Sequence, residues 1–288
     1  MERKWVPLPP YRSLLVVDVK DFSGLPGRDH AAVTDAIPDI LYGAFERVGA
    51  VDAWAKRRFQ QSTGDGLSAA FDSAVLPLLV DPIPRALQEE LEFRAQVDGL
   101  PELRMRMSVA VGPITDPNPD GVSTGSGHAR VENHRLLDAD VVKDLLTRSG
   151  PATRVAAAIS RRAFEDAVVS GYAGVDEDRY VGVPVRVKSF DGTVYLRVPL
   201  PTGDLLRSGF EPPAAADPPD ADPAAAVAER DTWSNHVSGV VHGTVVQSRD
   251  HYHGDRTTYT AHGDNNVNSG PGTQFTGDGV RYYGRPRP

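Results

Sequence analysis

Cysteine is absent from this 288-residue chain, which excludes disulfides and thiolate metal centres together. No apolar run reaches the length needed to cross a bilayer. The opening residues, "MERKWVPLPPYRS", hold no apolar segment of the secretory type. Positive charge is also short: 31 Lys and Arg stand against 39 Asp and Glu, a formal net charge of -8. That sign is wrong for a protein that grips nucleic acid by releasing counterions. These absences lead us to expect a soluble, cytoplasmic protein with neither nucleic acid nor membrane as partner.

Composition divides what is present into three parts. Residues 1–206 are mixed and globular in character. Residues 207–231 include "FEPPAAADPPDADPAAAVAER", rich in Pro, Ala and Asp and without apolar periodicity, and are expected to form a disordered linker. Residues 232–288 are rich in Gly, Asn and His with few bulky aliphatics, a low-complexity tail that cannot build a core alone. Within the tail, residues 235–255 carry Val237, Val240, Val241, Val245 and Val246 between Gly and polar residues. High β-propensity without proline is a zipper signature, though the segment reads equally as plain low complexity. His242, His251, His253 and His262 lack the scaffold a metal site needs. The closing "RYYGRPRP" reads as a solvated terminus.

In the globular part, "SLLVVDV" is an apolar run fit for a central strand. A helix over residues 31–48 is expected to break or kink near Pro38. "RRFQQSTGDGLSAAFD" reads as two strands around a Gly-Asp-Gly turn. "IPRALQEELEFRAQV" is an amphipathic helix. "LRMRMSVAVGPI" alternates Leu103, Met105, Met107 and Val109 with arginines, the pattern of a half-buried strand. "GHARVENHRLLDADVVKDLLT" reads as one long helix, "TRVAAAIS" as a strand and "RRAFEDAVV" as a short helix. "VGVPVRVKSF" and "TVYLRVP" are expected to close as a hairpin across Asp191-Gly192. The order β-α-β-β-α-β, then more α and β, predicts an α+β fold: a ferredoxin-like core with a C-terminal extension.

That order sets the first strand beside the Gly64-Asp65-Gly66 hairpin, in the middle of the sheet, and brings Asp18 and Asp65 to one end. Two neighbouring carboxylates repel unless a cation lies between them. Magnesium or manganese held so keeps positions open for phosphate oxygens. The loop after Asp18 offers backbone N–H groups to phosphates. Taken singly, Asp18 reads as a strand-end turn residue and Asp65-Gly66 as an ordinary hairpin turn; taken together they suit transfer chemistry on a nucleoside triphosphate.

In "LLVVDVKDFSG", "QQSTGDGLSAAFD", "LRMRMSVAVGPI" and "HRLLDADVVKDLL" the chain resembles class III nucleotidyl cyclase domains, over residues 11–199. The likeness is nearest to the bacterial Pycsar cyclases, which make cyclic UMP or cyclic CMP during phage infection. "RLLD" followed by "YVGVPVRVKSF" is similar to actinobacterial members of that branch. The resemblance implies a class III cyclase fold and two Mn²⁺ or Mg²⁺ ions per site, on Asp18, Asp65 and the Val19 carbonyl. It implies a triphosphate loop of Lys20, Asp21, Phe22 and Ser23, and a transition-state role for Arg135, which reads otherwise as a solvated helix arginine. Lys188 would meet a phosphate or remain a surface lysine. The family's asparagine one turn before that arginine is Val131 here; Asn133, two residues before it, would have to replace it. The family's base-reading lysine is Gln61, and its partner position falls near Thr124. Loss of that adenine-reading pair agrees with a pyrimidine substrate, UTP before CTP. The resemblance further implies a head-to-tail homodimer with shared sites and an effector activated by the cyclic nucleotide. The tail segment resembles RIP-homotypic-like amyloid signalling motifs, which pair with a like motif on another protein. The alternative function is a degenerate cyclase-like module that senses a nucleotide or partner and signals through the tail.

Overall fold

The structure is a computed structural model that describes residues 5–97, 102–115 and 125–210, and the backbone of two strands in the tail. The chain divides into two units, Met1–Pro219 and Asp220–Pro288.

In the first unit the elements run β1 (Tyr11–Val19), α1 (Gly27–Arg47), α2 (Val51–Ala55), β2 (Arg58–Ser62), β3 (Gly66–Asp72), α3 (Leu76–Val80), α4 (Ile83–Val97) and β4 (Met105–Pro113). There follow α5 (His128–Asp138), α6 (Asp140–Arg148), β5 (Val155–Ser160), α7 (Arg161–Phe164), β6 (Val181–Val187), β7 (Phe190–Arg197) and α8 (Leu205–Ser208). One seven-stranded sheet has the order β2-β3-β1-β4-β5-β7-β6. Its β2-β3-β1-β4 portion is wholly antiparallel, which is the ferredoxin-like arrangement. β5 then adds parallel to β4, and the β6–β7 hairpin adds antiparallel to β5. The fold is α+β, a ferredoxin-like core with a C-terminal extension. The Gly64-Asp65-Gly66 hairpin stands not mid-sheet but at one side, since β2 is an edge strand and β3 alone adjoins β1.

Helices cover both faces. Leu15, Val17, Phe71, Met105, Met107 and Val109 point to the layer of α1 and α4. On the other face α5 and α6 cover the extension, where Leu136, Val142 and Leu145 meet Ala156, Ala158 and Leu196. Burial on both sides is why β4 is almost fully buried and not half-buried: Ser108 and Ala110 lie under α5, and the Ser108 hydroxyl donates to the Asn133 carbonyl at 2.9 Å.

Three boundaries differ from the sequence expectation. Helix α1 runs unbroken through Pro38, because buried Val33, Ile37, Ile40, Leu41 and Phe45 hold both sides of the proline in the core. The expected long helix is two, α5 and α6, split at Ala139, whose extended backbone (φ -60°, ψ 133°) re-aims the apolar face of α6 at the sheet. The last hairpin turns at Lys188-Ser189, since Val187 pairs with Phe190. Lys188 takes φ +53° there, while Asp191 and Gly192 lie inside β7, where the Phe190 ring packs over Gly192.

The body continues through Phe210, four residues into the stretch read as linker. Arg148 donates to the carbonyls of Gly209 (3.0 Å) and Phe210 (3.1 Å). The remaining linker residues and the 235–255 segment lie outside the described residues. In the second unit, β8 (Gln274–Thr276) pairs antiparallel with β9 (Arg281–Tyr283), so part of the expected solvated terminus is a strand.

Candidate active site

Asp18 and Asp65 arrive at one end of the sheet through register. Asp18 pairs with Gly66 across β1–β3, and the Val19 amide donates to the Asp65 carbonyl at 2.8 Å. Residue 66 has to be glycine, because a Cβ there would lie 2.2 Å from the Val17 carbonyl oxygen. Gly64 turns the hairpin at φ +92°. The Thr34 hydroxyl of α1 donates to the Gly64 carbonyl at 2.5 Å, and Thr63 Oγ1 donates to Asp65 Oδ1 at 3.2 Å. The turn that carries Asp65 is thus held from two sides.

Asp18 has a partner that the sequence reading did not assign. Arg106, opposite it in β4, grips the carboxylate with both arms, Nε to Oδ1 at 2.8 Å and Nη2 to Oδ2 at 2.5 Å. The two side chains are 13 % and 15 % exposed. Burial pushes the Asp18 carboxyl up from 3.8 to about 6; Arg106 pulls against that rise, and the charges of Asp65 and Asp138 add to it. The signal was present in "LRMRM": an arginine inside an apolar strand that the fold pairs antiparallel with the strand bearing Asp18.

The loop beyond β1 is anchored rather than open. The Lys20 amide donates to the Arg104 carbonyl at 2.8 Å, and those of Gly24 and Leu25 close a 3₁₀ turn on Asp21 and Phe22. Asp21 adopts φ +58° and its carboxylate pairs with the Lys20 ammonium. Phe22 stacks on His30, ring centroids 4.5 Å apart. Of the six loop amides from Val19 to Gly24, those of Asp21, Phe22 and Ser23 have no backbone acceptor among the described residues.

A second group forms where α5 ends beside the β6–β7 turn. Arg135 donates to the Ser189 hydroxyl, and Lys188 Nζ lies 4.0 Å from Asp138 Oδ2. Asp138 connects this group to Asp18, whose pKa its charge raises. Asn133 does not join it. Its side chain is 0 % exposed and faces the sheet, whereas Val131, one turn before Arg135, is 47 % exposed. Gln61 accepts from Arg130 Nη2 at 2.5 Å. Thr124 lies outside the described residues.

The oxygen donors suit a hard divalent cation. Two carboxylates close enough for one to raise the other's pKa, beside a strand-end carbonyl, form the sparse set that Mg²⁺ or Mn²⁺ completes with water and phosphate oxygens. Among the described residues no group of three or more Asp, Glu or His side chains forms a fuller cage. A cation would take Asp18 in exchange for Arg106.

No family model matches the chain, and no curated protein matches it. Solved structures do. The guanylyl cyclase Cya2 is 16 % identical, with a TM-score of 0.44, over 65 % of this chain and 89 % of that one. A bacterial light-regulated adenylyl cyclase is 15 % identical, TM-score 0.47, over 70 % of this chain and 58 % of that one. The adenylyl cyclase CyaB from P. aeruginosa is 14 % identical, TM-score 0.42, over 65 % and 91 %. At these scores the fold is assigned by its own strand order. Among the described residues no helix is long and apolar enough to cross a membrane.

Proposed function

We propose that the protein is a nucleotidyl cyclase of the class III type, converting a nucleoside triphosphate to a 3′,5′-cyclic nucleotide and diphosphate. The observation that carries this reading is the register that sets Asp18 beside Asp65 at one sheet end, next to loop amides and two arginines. More finely, we propose a Pycsar-like cyclase acting on UTP or CTP, UTP first, whose product activates an effector in anti-phage defence. Gln61 in place of the family's base-reading lysine supports the pyrimidine. The tail segment 235–255 would engage a homotypic partner.

In this scheme Asp18, Asp65 and the Val19 carbonyl hold two Mg²⁺ or Mn²⁺ ions. Bound there, the ions would acidify the ribose 3′-hydroxyl and neutralise phosphate charge. The amides of Asp21, Phe22 and Ser23, with Lys20, orient the β- and γ-phosphates. Arg106, given up by Asp18, turns its guanidinium to the same phosphates. The 3′-oxygen bonds to the α-phosphorus, the bond to the bridging oxygen breaks, diphosphate leaves and the hydroxyl proton passes to solvent. Arg135 neutralises charge growing on the α-phosphate, supplied across a head-to-tail homodimer to the partner's substrate, and Lys188 meets the leaving diphosphate. Asn133 takes no part, its amide being buried away from Arg135.

The test is incubation of the purified chain with each of the four nucleoside triphosphates and Mn²⁺, followed by a search for 3′,5′-cyclic product. UTP or CTP should yield it, and Asp65→Asn should abolish it. Wild-type turnover by Asp65→Asn refutes the scheme. One observation favours a second reading, a nucleotide-sensing module without turnover: Asp18 is already neutralised by Arg106. Nucleotide binding with no product from any triphosphate would select it.

A further inference from the structure

On the face of the sheet that carries Asp18, beside α5, lies a pocket of about 260 Å³. It begins at Val16, two residues before Asp18 and so about 7 Å along the strand. Its walls are mostly apolar, Leu14, Val16, Ala70, Ile114 and the Phe59 ring. Set into them are three buried polar atoms, Ser68 Oγ and both Oδ1 and Nδ2 of Asn133, with no hydrogen-bond partner among the described residues. Asn133 is 0 % and Ser68 5 % exposed. Leaving such groups unpaired is costly, and native proteins rarely do so without a function for them.

The wall opposite is built at a conformational cost as well. Phe59 has φ +54°, a region that bulky residues avoid, within the irregularity of β2 between Arg58 and Gln61. Gly125 at φ +89° admits the ring: a Cβ there would lie 2.9 Å from it. At the rim, Arg130 bridges the Gly125 carbonyl (2.8 Å) and Gln61 Oε1.

We infer that this pocket receives a single-ring planar heterocycle, the base of a pyrimidine nucleotide, read by the Asn133 amide and the Ser68 hydroxyl. The inference rests on the nucleotide reading above and deepens it, because it moves base recognition from Gln61 to Asn133. A carboxamide offers a donor and an acceptor side by side, which pair with the N3 and 4-position edge of uracil or cytosine. The Phe59 ring supplies a face for stacking. The space is below that of ordinary ligand pockets, so ribose and phosphates stay outside, toward Asp18.

The experiment compares wild type, Asn133→Leu and Ser68→Ala as full chains, in binding of UTP, CTP, ATP and GTP by calorimetry with Ca²⁺, and in turnover with Mn²⁺. Leucine matches the asparagine in size and needs no partner, so Asn133→Leu should melt no lower than wild type. It should bind UTP and CTP about tenfold or more weakly and lose the preference over ATP and GTP, as when a site loses a paired polar group. Ser68→Ala should weaken the same nucleotides by a few-fold. Unchanged pyrimidine affinity and preference in both variants overturns the inference while leaving the cyclase reading intact. A wild type that binds UTP or CTP through Asn133 yet forms no cyclic product sinks the cyclase reading and keeps the pocket. A wild type that binds no pyrimidine nucleotide overturns the inference.

Discussion

Replacing Arg106 by leucine removes the counter-ion from a carboxylate that is only 13 % exposed. Two unit charges about 4 Å apart at an effective dielectric near 20 attract by about 4 kcal/mol. Breaking a buried pair from one side costs about 3–5 kcal/mol, because the remaining charge is left uncompensated. Partial exposure reduces both figures here, so a double-mutant cycle on Arg106→Leu and Asp18→Asn should give a coupling energy of about 2–4 kcal/mol at pH 7.5. The double variant should then recover much of what Arg106→Leu loses. Urea denaturation of the four proteins without divalent ions measures this, with unchanged m-values confirming a common transition. The same variants titrated with Mn²⁺ provide a second readout. Since Arg106 and a cation compete for the same oxygens, Arg106→Leu should bind Mn²⁺ about tenfold or more tightly in the absence of nucleotide. A coupling below about 0.5 kcal/mol, within the error of additivity, together with unchanged Mn²⁺ affinity, would refute the reasoning.

Other outcomes follow from the same geometry. Because burial raises the Asp18 carboxyl from 3.8 to about 6, the folded state holds that proton more tightly than the unfolded chain. Its stabilising contribution is whole below about pH 4 and is lost as pH rises through 6, about 3 kcal/mol in all; Asp18→Asn should lack that slope in metal-free denaturation between pH 4 and 7. Arg135→Ala should cut kcat by about 10²–10³ with the melting temperature unmoved, because the side chain stands at the surface and serves charge that grows only in the transition state. Gly66→Ala should destabilise the chain and remove Mn²⁺ binding together, since the methyl group would meet the Val17 carbonyl between the two aspartates. Glu90, buried between Arg47 and Arg94 at 2.7 Å from each, should cost about 3–5 kcal/mol as Glu90→Ala, because two cations are left without their shared anion.

The convergence of Asp18 and Asp65 was legible because it needs only an apolar strand, an Asp-Gly turn and the order of elements. Arg106 was within reach of the same reasoning: once β1 and β4 are taken as antiparallel neighbours, an arginine in the apolar strand falls opposite Asp18. Asn133 was legible only in part. Its two-residue offset placed it off the Arg135 face, but nothing local indicated that it faces Ser68 on a strand 65 positions earlier. The irregularity that turns Phe59 inward was not legible, since its backbone adopts a conformation that a phenylalanine avoids and that only tertiary packing imposes. The same applies to Lys188: Asp191-Gly192 is the stronger local turn signal, and the pairing of Val187 with Phe190 overrode it. Pro38 failed as a helix breaker for a related reason, since the core contacts on either side outweigh one missing backbone bond.

The hydroxyl of Thr34 on the Gly64 carbonyl has a mechanical consequence. Helix α1 begins directly after the loop that follows Asp18, and one turn and a half later it fastens the hairpin that ends in Asp65. One rigid rod therefore carries the mounting points of both carboxylates. Any force that shifts α1, whether from a second chain or from a segment leaning on its outer side, changes the spacing between the two acids as calipers do, so the helix most distant from the chemistry in appearance sets its gauge.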